Sequence, residues 1–313
     1  MPASVRHNSA VAIATLAVAA LAQPTGQLTA QSEGAPAAQT ADSGRVMIDG
    51  VNYYYEIHGA GQPLLLLHGG LGSGDMFDPV LGLLTKSRQV ILVDIQGHGR
   101  TPLGNRPFSL EAMGNDMAVL MTKLGHDTLD VMGYSMGGGV AFQFAAQHPA
   151  RVRKLVLVSA GYTDKAFYPE MKAQQAQVGA AMAEMMKDTP MYKSYAAVAP
   201  DVSEFPRLLQ TVGDFMQRPY DFSPQIPDLT MPVMLIFGDS DMYQLEHVVD
   251  FYHRLGGGLR DAGWMGEHMS TNRLAILPGL THYNIFMSPT LYETALTFFA
   301  GKDGAQSWAS QVP

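Results

Sequence analysis

One serine of the chain lies in a setting that suits a nucleophile. Ser135 is the central residue of Gly133-Tyr134-Ser135-Met136-Gly137, a G-x-S-x-G sequence. An apolar run, LDVMG, precedes it and a helix-forming stretch, SMGGGVAFQFAAQH, follows it. A hydroxyl is a weak nucleophile, so a sharp turn between strand and helix must present it to a base and to a substrate. Glycines on both sides remove the β-carbons that would collide across such a turn. The sequence therefore predicts acyl-transfer chemistry at Ser135.

Such a serine needs a base and an acid, and the chain order Ser, acid, His is typical of this turn. His282 lies between the last predicted strand and the last predicted helix, in LPGLTHYN. The acid is expected earlier in the chain, and FGDSD offers Asp239 and Asp241 at the end of another strand. All of these strand ends lie at the carboxyl edge of a parallel sheet, where Ser135 lies too. Spacing alone leaves the choice between the two aspartates open.

Two backbone N–H groups are predicted to form an oxyanion hole. The Met136 N–H begins the helix after the serine, where the helix dipole favours negative charge. The glycine-rich loop LLLLHGGLGSG supplies the second donor, which we assign to Gly70, with Leu71 as the neighbouring alternative. His68 is interpreted as a residue that fixes this loop, because His282 is better placed to be the base.

Alternating strands and helices must hold these residues in place. The short apolar runs PLLLLHGG, QVILVD, TLDVMG and KLVLVSAG are separated by helical stretches, which predicts an α/β fold. For this chain we expect a mostly parallel central sheet of about eight strands, flanked by helices on both faces. RVMIDGVNYYYEIHG predicts a hairpin at the start of the sheet. We expect residues 45–161 and 230–301 to form this core.

The alternation of strands and helices stops in the middle of the chain. From residue 162 to residue 229 the sequence predicts helices, is rich in methionine and contains no convincing strand. We interpret this block as a helical cap inserted into the core. Its methionines fit an ordinary helical core and fit equally an adaptable apolar lid over the site.

The two ends of the chain differ in composition from the core. Residues 1–22 have a basic start, a short apolar run and a small-x-small ending, the pattern of a signal peptide cleaved after Ala22. We therefore expect export to the periplasm or the medium, with no membrane span in the mature protein. Residues 23–44 predict a disordered linker, and residues 302–313 predict a flexible tail.

Composition also argues against several partners and reactions. The net charge of −8 argues against nucleic acid and against an anionic membrane surface. The absence of cysteine excludes disulfides, a thiolate nucleophile and a Cys-based zinc site. There is no H-E-x-x-H motif, and the spacing of His247 and His253 does not put them on one helix face, so no metal or cofactor is expected. The expected partner is a small-molecule ester or lactone, and the sequence does not indicate an oligomeric state.

Five motifs, in this order, resemble those of the α/β-hydrolase superfamily: LLLLHGGLGSG, VDIQGHGRT, GYSMGG, FGDSD and GLTHYN. The resemblance covers about residues 51–300 and is closest to small serine esterases, non-haem haloperoxidase/perhydrolases and proline iminopeptidases. It implies the α/β-hydrolase fold. In that family the acid commonly lies three residues after the glycine that ends its strand. This favours Asp241, counted from Gly238, and makes Asp239 a supporting residue of the loop.

The sequence departs from the family's pattern at three places. Leu245 stands where many relatives have proline, and Gln96 stands where arginine is usual. Residues 256–272 lengthen the segment between acid and histidine, either as a loop near the pocket mouth or as a surface elaboration. None of the three changes the predicted triad.

The motifs and the resemblance together predict a serine hydrolase that cleaves a carboxylic ester or a lactone through an acyl-enzyme. Ser135 attacks, His282 transfers the proton and Asp241 orients His282.

Two other reactions and one binding function are alternatives. Perhydrolysis uses the same residues. Removal of an N-terminal proline also uses them and needs an acidic cap residue to hold the substrate amine. Three glutamates are candidates for that role: Glu170, Glu184 and Glu204. A small-molecule receptor with the same fold is an alternative of another class.

Overall fold

The computed structural model describes residues 42–302, and these contain an open sheet of eight strands. The strands are β1 (Asp42–Ile48), β2 (Val51–Gly59), β3 (Gln62–Leu67), β4 (Arg88–Val93), β5 (Leu129–Tyr134), β6 (Val152–Val158), β7 (Val233–Ser240) and β8 (Arg273–Thr281). Their order in the sheet is β1-β2-β4-β3-β5-β6-β7-β8. β2 pairs antiparallel with β1 and β4, and the remaining pairs are parallel. The predicted α/β fold with about eight strands is confirmed.

Strand β1 begins earlier than predicted. Residues 42–44 were expected to belong to the linker, but they pair with the end of β2, where Asp42 lies opposite Ile57. That expectation is wrong because β1 and β2 continue to pair in regular register from the hairpin turn at Asp49 and Gly50 as far as Asp42. Polar side chains are tolerated there, because β1 is an edge strand. The predicted signal peptide, the rest of the linker and residues 303–313 of the predicted tail lie outside the described residues.

Helices cover both faces of the sheet. They are α1 (Asp78–Leu84), α2 (Leu110–Lys123), α3 (Met136–Gln147), α4 (Pro169–Gln175), α5 (Ala183–Met186), α6 (Pro190–Val198), α7 (Phe205–Met216), α8 (Leu245–Arg254) and α9 (Pro289–Phe299). Alternate strand residues face opposite sides: Leu64 and Leu66 pack with α1 and α9, and Leu65 and Leu67 pack with α2, α3 and α8. Among residues 42–302, no helix has the length and apolar content that a membrane crossing requires.

Helices α4 to α7 lie in the long connection between β6 and β7. In residues 162–229, strand pairing is limited to isolated bridges such as Thr163 with Asp221. Helix α7 packs onto the core through Leu208, Leu209 and Val212, which are buried. The insertion therefore lies on the sheet face that carries α2, α3 and α8.

The long loop between α8 and β8 is attached at the amino-terminal edge of the sheet. Asn272 accepts a hydrogen bond from the N–H of Val233, where β7 begins, and donates one to the carbonyl of Leu255, where α8 ends. Ser135 lies at the opposite edge, because it follows the carboxyl end of β5. Of the two placements expected for residues 256–272, the one beside a pocket mouth at Ser135 is therefore wrong. The loop is an elaboration of the surface, with Trp264 77% exposed.

Candidate active site

Ser135 occupies the turn between β5 and α3 in a strained backbone conformation. Its φ is +54°, in the left-handed region that a residue with a side chain rarely adopts. A β-carbon at Gly133 would collide with the Gly137 carbonyl, whereas one at Gly137 would collide with the backbone carbonyls of Leu67 and His68. Gly133 thus permits the turn, as predicted. Gly137 instead permits α3 to dock closely against the end of β3.

The structure brings the three predicted triad residues into one hydrogen-bonded chain. The Ser135 Oγ lies 2.9 Å from His282 Nε2, and His282 Nδ1 lies 3.1 Å from Asp241 Oδ1. Because a carboxylate accepts, Nδ1 carries the proton and Nε2 is free to accept the hydroxyl proton of Ser135. His282 is 6% exposed and Asp241 is 8% exposed, so both polar groups are held away from bulk water.

The two aspartates of FGDSD have different surroundings. Asp241 accepts the Met242 N–H at 2.7 Å as well as the His282 Nδ1–H. Burial acts to raise the pKa of Asp241, but these hydrogen bonds and the imidazole together hold it below its ordinary value. Asp239 is exposed and accepts the Gly279 N–H at 3.0 Å. The structure therefore places Asp241 against His282, whereas Asp239 joins the carboxyl-terminal parts of β7 and β8.

Two residues that the sequence did not single out also contact the chain of hydrogen bonds. The Tyr134 hydroxyl donates to the backbone carbonyl of His282 at 2.5 Å, and burial raises the pKa of Tyr134, so it stays a donor. The Ser159 hydroxyl donates to Asp241 at 2.5 Å. Tyr134 occupies a variable position of the G-x-S-x-G motif. Ser159 is the first polar residue after the apolar part of KLVLVSAG, so only its place at a strand end could have marked it.

The two predicted oxyanion donors lie next to each other beside Ser135. A β-carbon built on Gly69 would lie 3.4 Å from the Ser135 β-carbon, and one built on Gly70 would lie 4.0 Å from the Met136 β-carbon. Among residues 42–302, neither the Gly70 N–H nor the Met136 N–H has a hydrogen-bond acceptor. Gly70 is exposed, so a substrate can reach it. Leu71, the alternative donor, has φ +56° and packs its side chain against the core.

His68 has both ring nitrogens bound to backbone groups. Nδ1 lies 2.8 Å from the Gly69 carbonyl, which requires Nδ1 to carry a proton, and Nε2 accepts the Ile95 N–H at 3.0 Å. The ring is fully buried, and burial lowers its pKa to about 4, so it is neutral at ordinary pH. His68 thereby links the loop after β3 to the loop after β4 and is not available as a base.

The insertion reaches the site through helix α4. The Tyr283 hydroxyl lies 3.9 Å from the Met171 Sδ, which joins the residue after His282 to α4. A cavity of about 310 Å³ lies further away, between residues 97–105 and the insertion helices α6 and α7, and no triad residue lines it. Within residues 42–302, His, Asp and Glu side chains form no group of three that could hold a metal ion.

An open, mostly parallel sheet with a serine on the strained turn after β5 defines the class of the α/β-hydrolase fold. Comparison with known families agrees, because the model of the alpha/beta hydrolase fold family matches residues 62–189. A pimeloyl-(acyl-carrier protein) methyl ester esterase from Neisseria meningitidis serogroup A is 30% identical over 215 residues, which are 62% of this chain and 67% of that protein. The chain belongs to the alpha/beta hydrolase family.

Two further similarities differ in extent. An uncharacterized protein of Mycobacterium bovis is 36% identical over 118 residues, which are 38% of this chain, and the match spans only 35% of that relative's length. A thermophilic esterase from Thermogutta terrifontis superposes with a TM-score of 0.64 at 20% identity, over 85% of this chain and 100% of the esterase. At that identity the superposition shows a shared fold.

Proposed function

We propose that the protein hydrolyses carboxylic esters through an acyl-enzyme on Ser135. The observation that carries this proposal is the hydrogen-bonded chain from the Ser135 Oγ through His282 to Asp241. The similarity to a methyl ester esterase supports ester chemistry. Lactones, which are cyclic esters, are substrates of the same chemistry.

In the proposed first half-reaction, the Ser135 Oγ attacks the carbonyl carbon while its proton passes to His282 Nε2. The carbonyl electron pair moves to the oxygen, and the N–H groups of Gly70 and Met136 bind the oxyanion. The tetrahedral intermediate collapses, the bond to the alcohol oxygen breaks, and that oxygen takes the proton from His282. Asp241 accepts the Nδ1–H throughout and stabilises the imidazolium.

In the second half-reaction, water takes the place of the alcohol. His282 Nε2 removes a proton from the water as its oxygen attacks the acyl carbon, and the same two N–H groups bind the second oxyanion. Collapse releases the carboxylic acid and returns the proton to the Ser135 Oγ. Hydrogen peroxide in place of water would give a peracid by the same steps, which is the perhydrolase variant of this activity.

Residues 162–229 are proposed as the cap that bounds an apolar acyl pocket. Support comes from the side chains around His282: Met171 of α4 touches Tyr283, and Phe167 stacks on Tyr243 with ring centroids 4.6 Å apart. The Tyr243 ring lies 6.2 Å from the His282 ring. Thioether and aromatic groups of this kind favour an acyl chain over a charged substrate group.

The test is hydrolysis of short p-nitrophenyl esters by the wild type, Ser135→Ala and Ser87→Ala. Ser87 is an exposed serine at the opposite edge of the sheet and serves as the matched control. We expect Ser135→Ala to lose at least about 1,000-fold in kcat and Ser87→Ala to stay at the wild-type rate. A fluorophosphonate should add one phosphonyl group to Ser135. Equal rates in the wild type and Ser135→Ala would contradict the proposal, and absence of labelling would favour the receptor alternative.

Release of N-terminal proline is a second candidate, favoured by the position of one glutamate. Glu184 and Glu204 are paired with Lys187 and Arg207, whereas Glu170 is next to Met171, the residue that touches Tyr283. In this aminopeptidase reaction, Glu170 would bind the amino group of the N-terminal proline. A proline arylamide hydrolysed by the wild type and not by Glu170→Gln would support it. No release of the arylamine by the wild type would remove it.

A further inference from the structure

Ser159 combines full burial with a backbone conformation that disfavours a side chain. It directly follows β6, is 0% exposed and has φ +47°. Its N–H donates to the Ile236 carbonyl at 2.9 Å, which fixes it between β6 and β7. Glycine would adopt the left-handed conformation without strain. A serine here therefore costs free energy relative to glycine.

Among residues 42–302, the Ser159 hydroxyl has one hydrogen-bond partner, the carboxylate of Asp241. It donates to Asp241 Oδ2 at 2.5 Å. The other oxygen, Oδ1, accepts from His282 Nδ1 at 3.1 Å and from the Met242 N–H at 2.7 Å. Oδ2 has one further donor, the Gly238 N–H at 3.4 Å, which is a long contact. Ser159 is thus the strong donor to the oxygen that faces away from His282.

The position of Ser159 at the end of a neighbouring strand allows its hydrogen bond to restrict the orientation of the Asp241 carboxylate. Gly238 and Met242 are close to Asp241 in sequence, at the end of β7, whereas Ser159 directly follows the neighbouring strand β6. The terminal torsion of an aspartate is soft and allows a wide range of carboxylate orientations. A donor from a neighbouring strand, itself fixed by the Ile236 carbonyl, is suited to restrict that torsion.

We propose that Ser159 is a positioning residue that holds the Asp241 carboxylate with Oδ1 aimed at His282. The inference rests on the proposed function, because its effect on rate passes through Asp241 and His282. Without the hydroxyl, the carboxylate turns away from Nδ1, the imidazole loses its orientation, and Ser135 loses a base in the correct position. Substrate binding is unaffected, since Ser159 is fully buried and out of reach of a substrate.

The first test compares two variants that both lack the hydroxyl. Ser159→Gly also relieves the backbone strain, whereas Ser159→Ala keeps it. We expect kcat for p-nitrophenyl ester hydrolysis to fall about 10- to 100-fold in both, with KM changed less than about twofold. Ser240→Ala is the control, because it removes a serine hydroxyl from Asp239, which does not touch His282. Wild-type kcat in Ser159→Gly would overturn the proposal.

The second test asks whether Ser159 acts through Asp241. In an Asp241→Asn background, adding Ser159→Gly should change kcat by less than about twofold, because residues that act as a unit are not additive. A loss as large as in the wild-type background would overturn the proposal.

The third test does not require any turnover and therefore separates this inference from the proposed function. The His282 Nδ1–H should give a downfield proton resonance in the free wild-type protein, identified by its absence in His282→Gln. We expect it to move upfield or to exchange away in Ser159→Gly while Ser240→Ala retains it. An unchanged resonance in Ser159→Gly would overturn the positioning role even if no ester substrate were found. If the resonance moves but no ester is cleaved, the proposed function fails and the positioning role stands.

Discussion

Ser135 and Ser159 both hold a left-handed backbone conformation, and both hydroxyls enter the same chain of hydrogen bonds. At Ser135 the strained turn exposes the hydroxyl to His282. At Ser159 it directs a fully buried hydroxyl at Asp241. Strain of this kind persists only where the surrounding structure enforces it. At this site, the two strained residues are also the ones whose hydroxyls contact His282 and Asp241, on which the proposed chemistry depends.

Gly70 offers a prediction at the scale of one residue. Its φ is outside the left-handed region, so alanine fits the backbone, but a β-carbon would lie 3.1 Å from the Met136 Cε. We expect Gly70→Ala to shift the loop and lower kcat for ester hydrolysis about tenfold. This is a smaller decrease in kcat than complete removal of an oxyanion donor would cause. The free energy of unfolding should change by less than about 1 kcal/mol.

Gly82→Ala is the matched control for Gly70→Ala. Gly82 lies on the exposed side of α1, and a β-carbon there would meet nothing within 4 Å. It should leave kcat unchanged and stabilise the protein by about 0.5–1 kcal/mol, because alanine favours a helix. An unchanged kcat in Gly70→Ala would remove Gly70 from the proposed oxyanion hole.

At the scale of elements, the site is assembled from four adjacent strands. Ser135 follows β5, Ser159 follows β6, Asp241 follows the last residue of β7 and His282 follows β8, and these strands are neighbours in that order. The sequence predicted Ser135 and His282 because each lies at a strand end in a recognisable motif. Asp241 needed the family's spacing in addition. Ser159 was missed because its role depends on φ and on the pairing of β6 with β7, which no local pattern encodes.

Element boundaries were predicted where an apolar run ends at a glycine or proline and were missed where register decides. Strand β1 begins at Asp42 because its partner continues to pair, although residues 42–44 are polar or small. The location of residues 256–272 depends on the edge of the sheet at which α8 ends. That edge follows from how β7, α8 and β8 are arranged in the sheet. Local propensity therefore defines the elements, and pairing defines their limits and the edge on which each loop lies.

The docking of α3 on β3 can be tested with two neighbouring glycines. A β-carbon at Gly137 would collide with backbone carbonyls of Leu67 and His68, whereas one at Gly139 would meet the flexible end of Leu110 at 2.7 Å. Urea unfolding should show Gly137→Ala destabilised by about 3 kcal/mol or more, or unfolded. Gly139→Ala should stay within about 1 kcal/mol of the wild type, since its gain in helix propensity offsets a small repacking of Leu110. Equal effects of the two substitutions would contradict this view of the interface.

At the scale of the whole molecule, the loops of the carboxyl edge are themselves part of the buried core. His68 and His98 are both 0% exposed, and their rings lie 5.6 Å apart in the loops after β3 and β4. Burial lowers the pKa of His68 to about 4 and that of His98 to about 3. The fold therefore buries two imidazoles that are neutral at ordinary pH, one within the candidate oxyanion loop and one in the loop after β4.

These two histidines predict how the stability of the whole fold depends on pH. In the unfolded chain a histidine takes up a proton near pH 6.5, whereas in the folded protein His68 does so only near pH 4. The unfolded state therefore binds more protons between these values, so stability is fully present above pH 6.5 and is lost as the pH falls toward 4. The loss is about 2 kcal/mol per histidine at pH 5, and ordinary carboxyl groups add little above that pH.

Urea unfolding at pH 7.5, 6 and 5 measures this dependence directly. We expect the free energy of unfolding to fall steadily over this range in the wild type. His68→Gln should be less stable than the wild type at pH 7.5, because glutamine does not reproduce both hydrogen bonds of the imidazole, to Gly69 and Ile95. Between pH 7.5 and pH 5, however, its free energy of unfolding should fall by about 2 kcal/mol less than that of the wild type. His253→Gln, which changes an exposed histidine of α8, should keep the wild-type slope. A wild-type stability that stays level from pH 7.5 to pH 5, with the same profile in His68→Gln, would contradict this prediction.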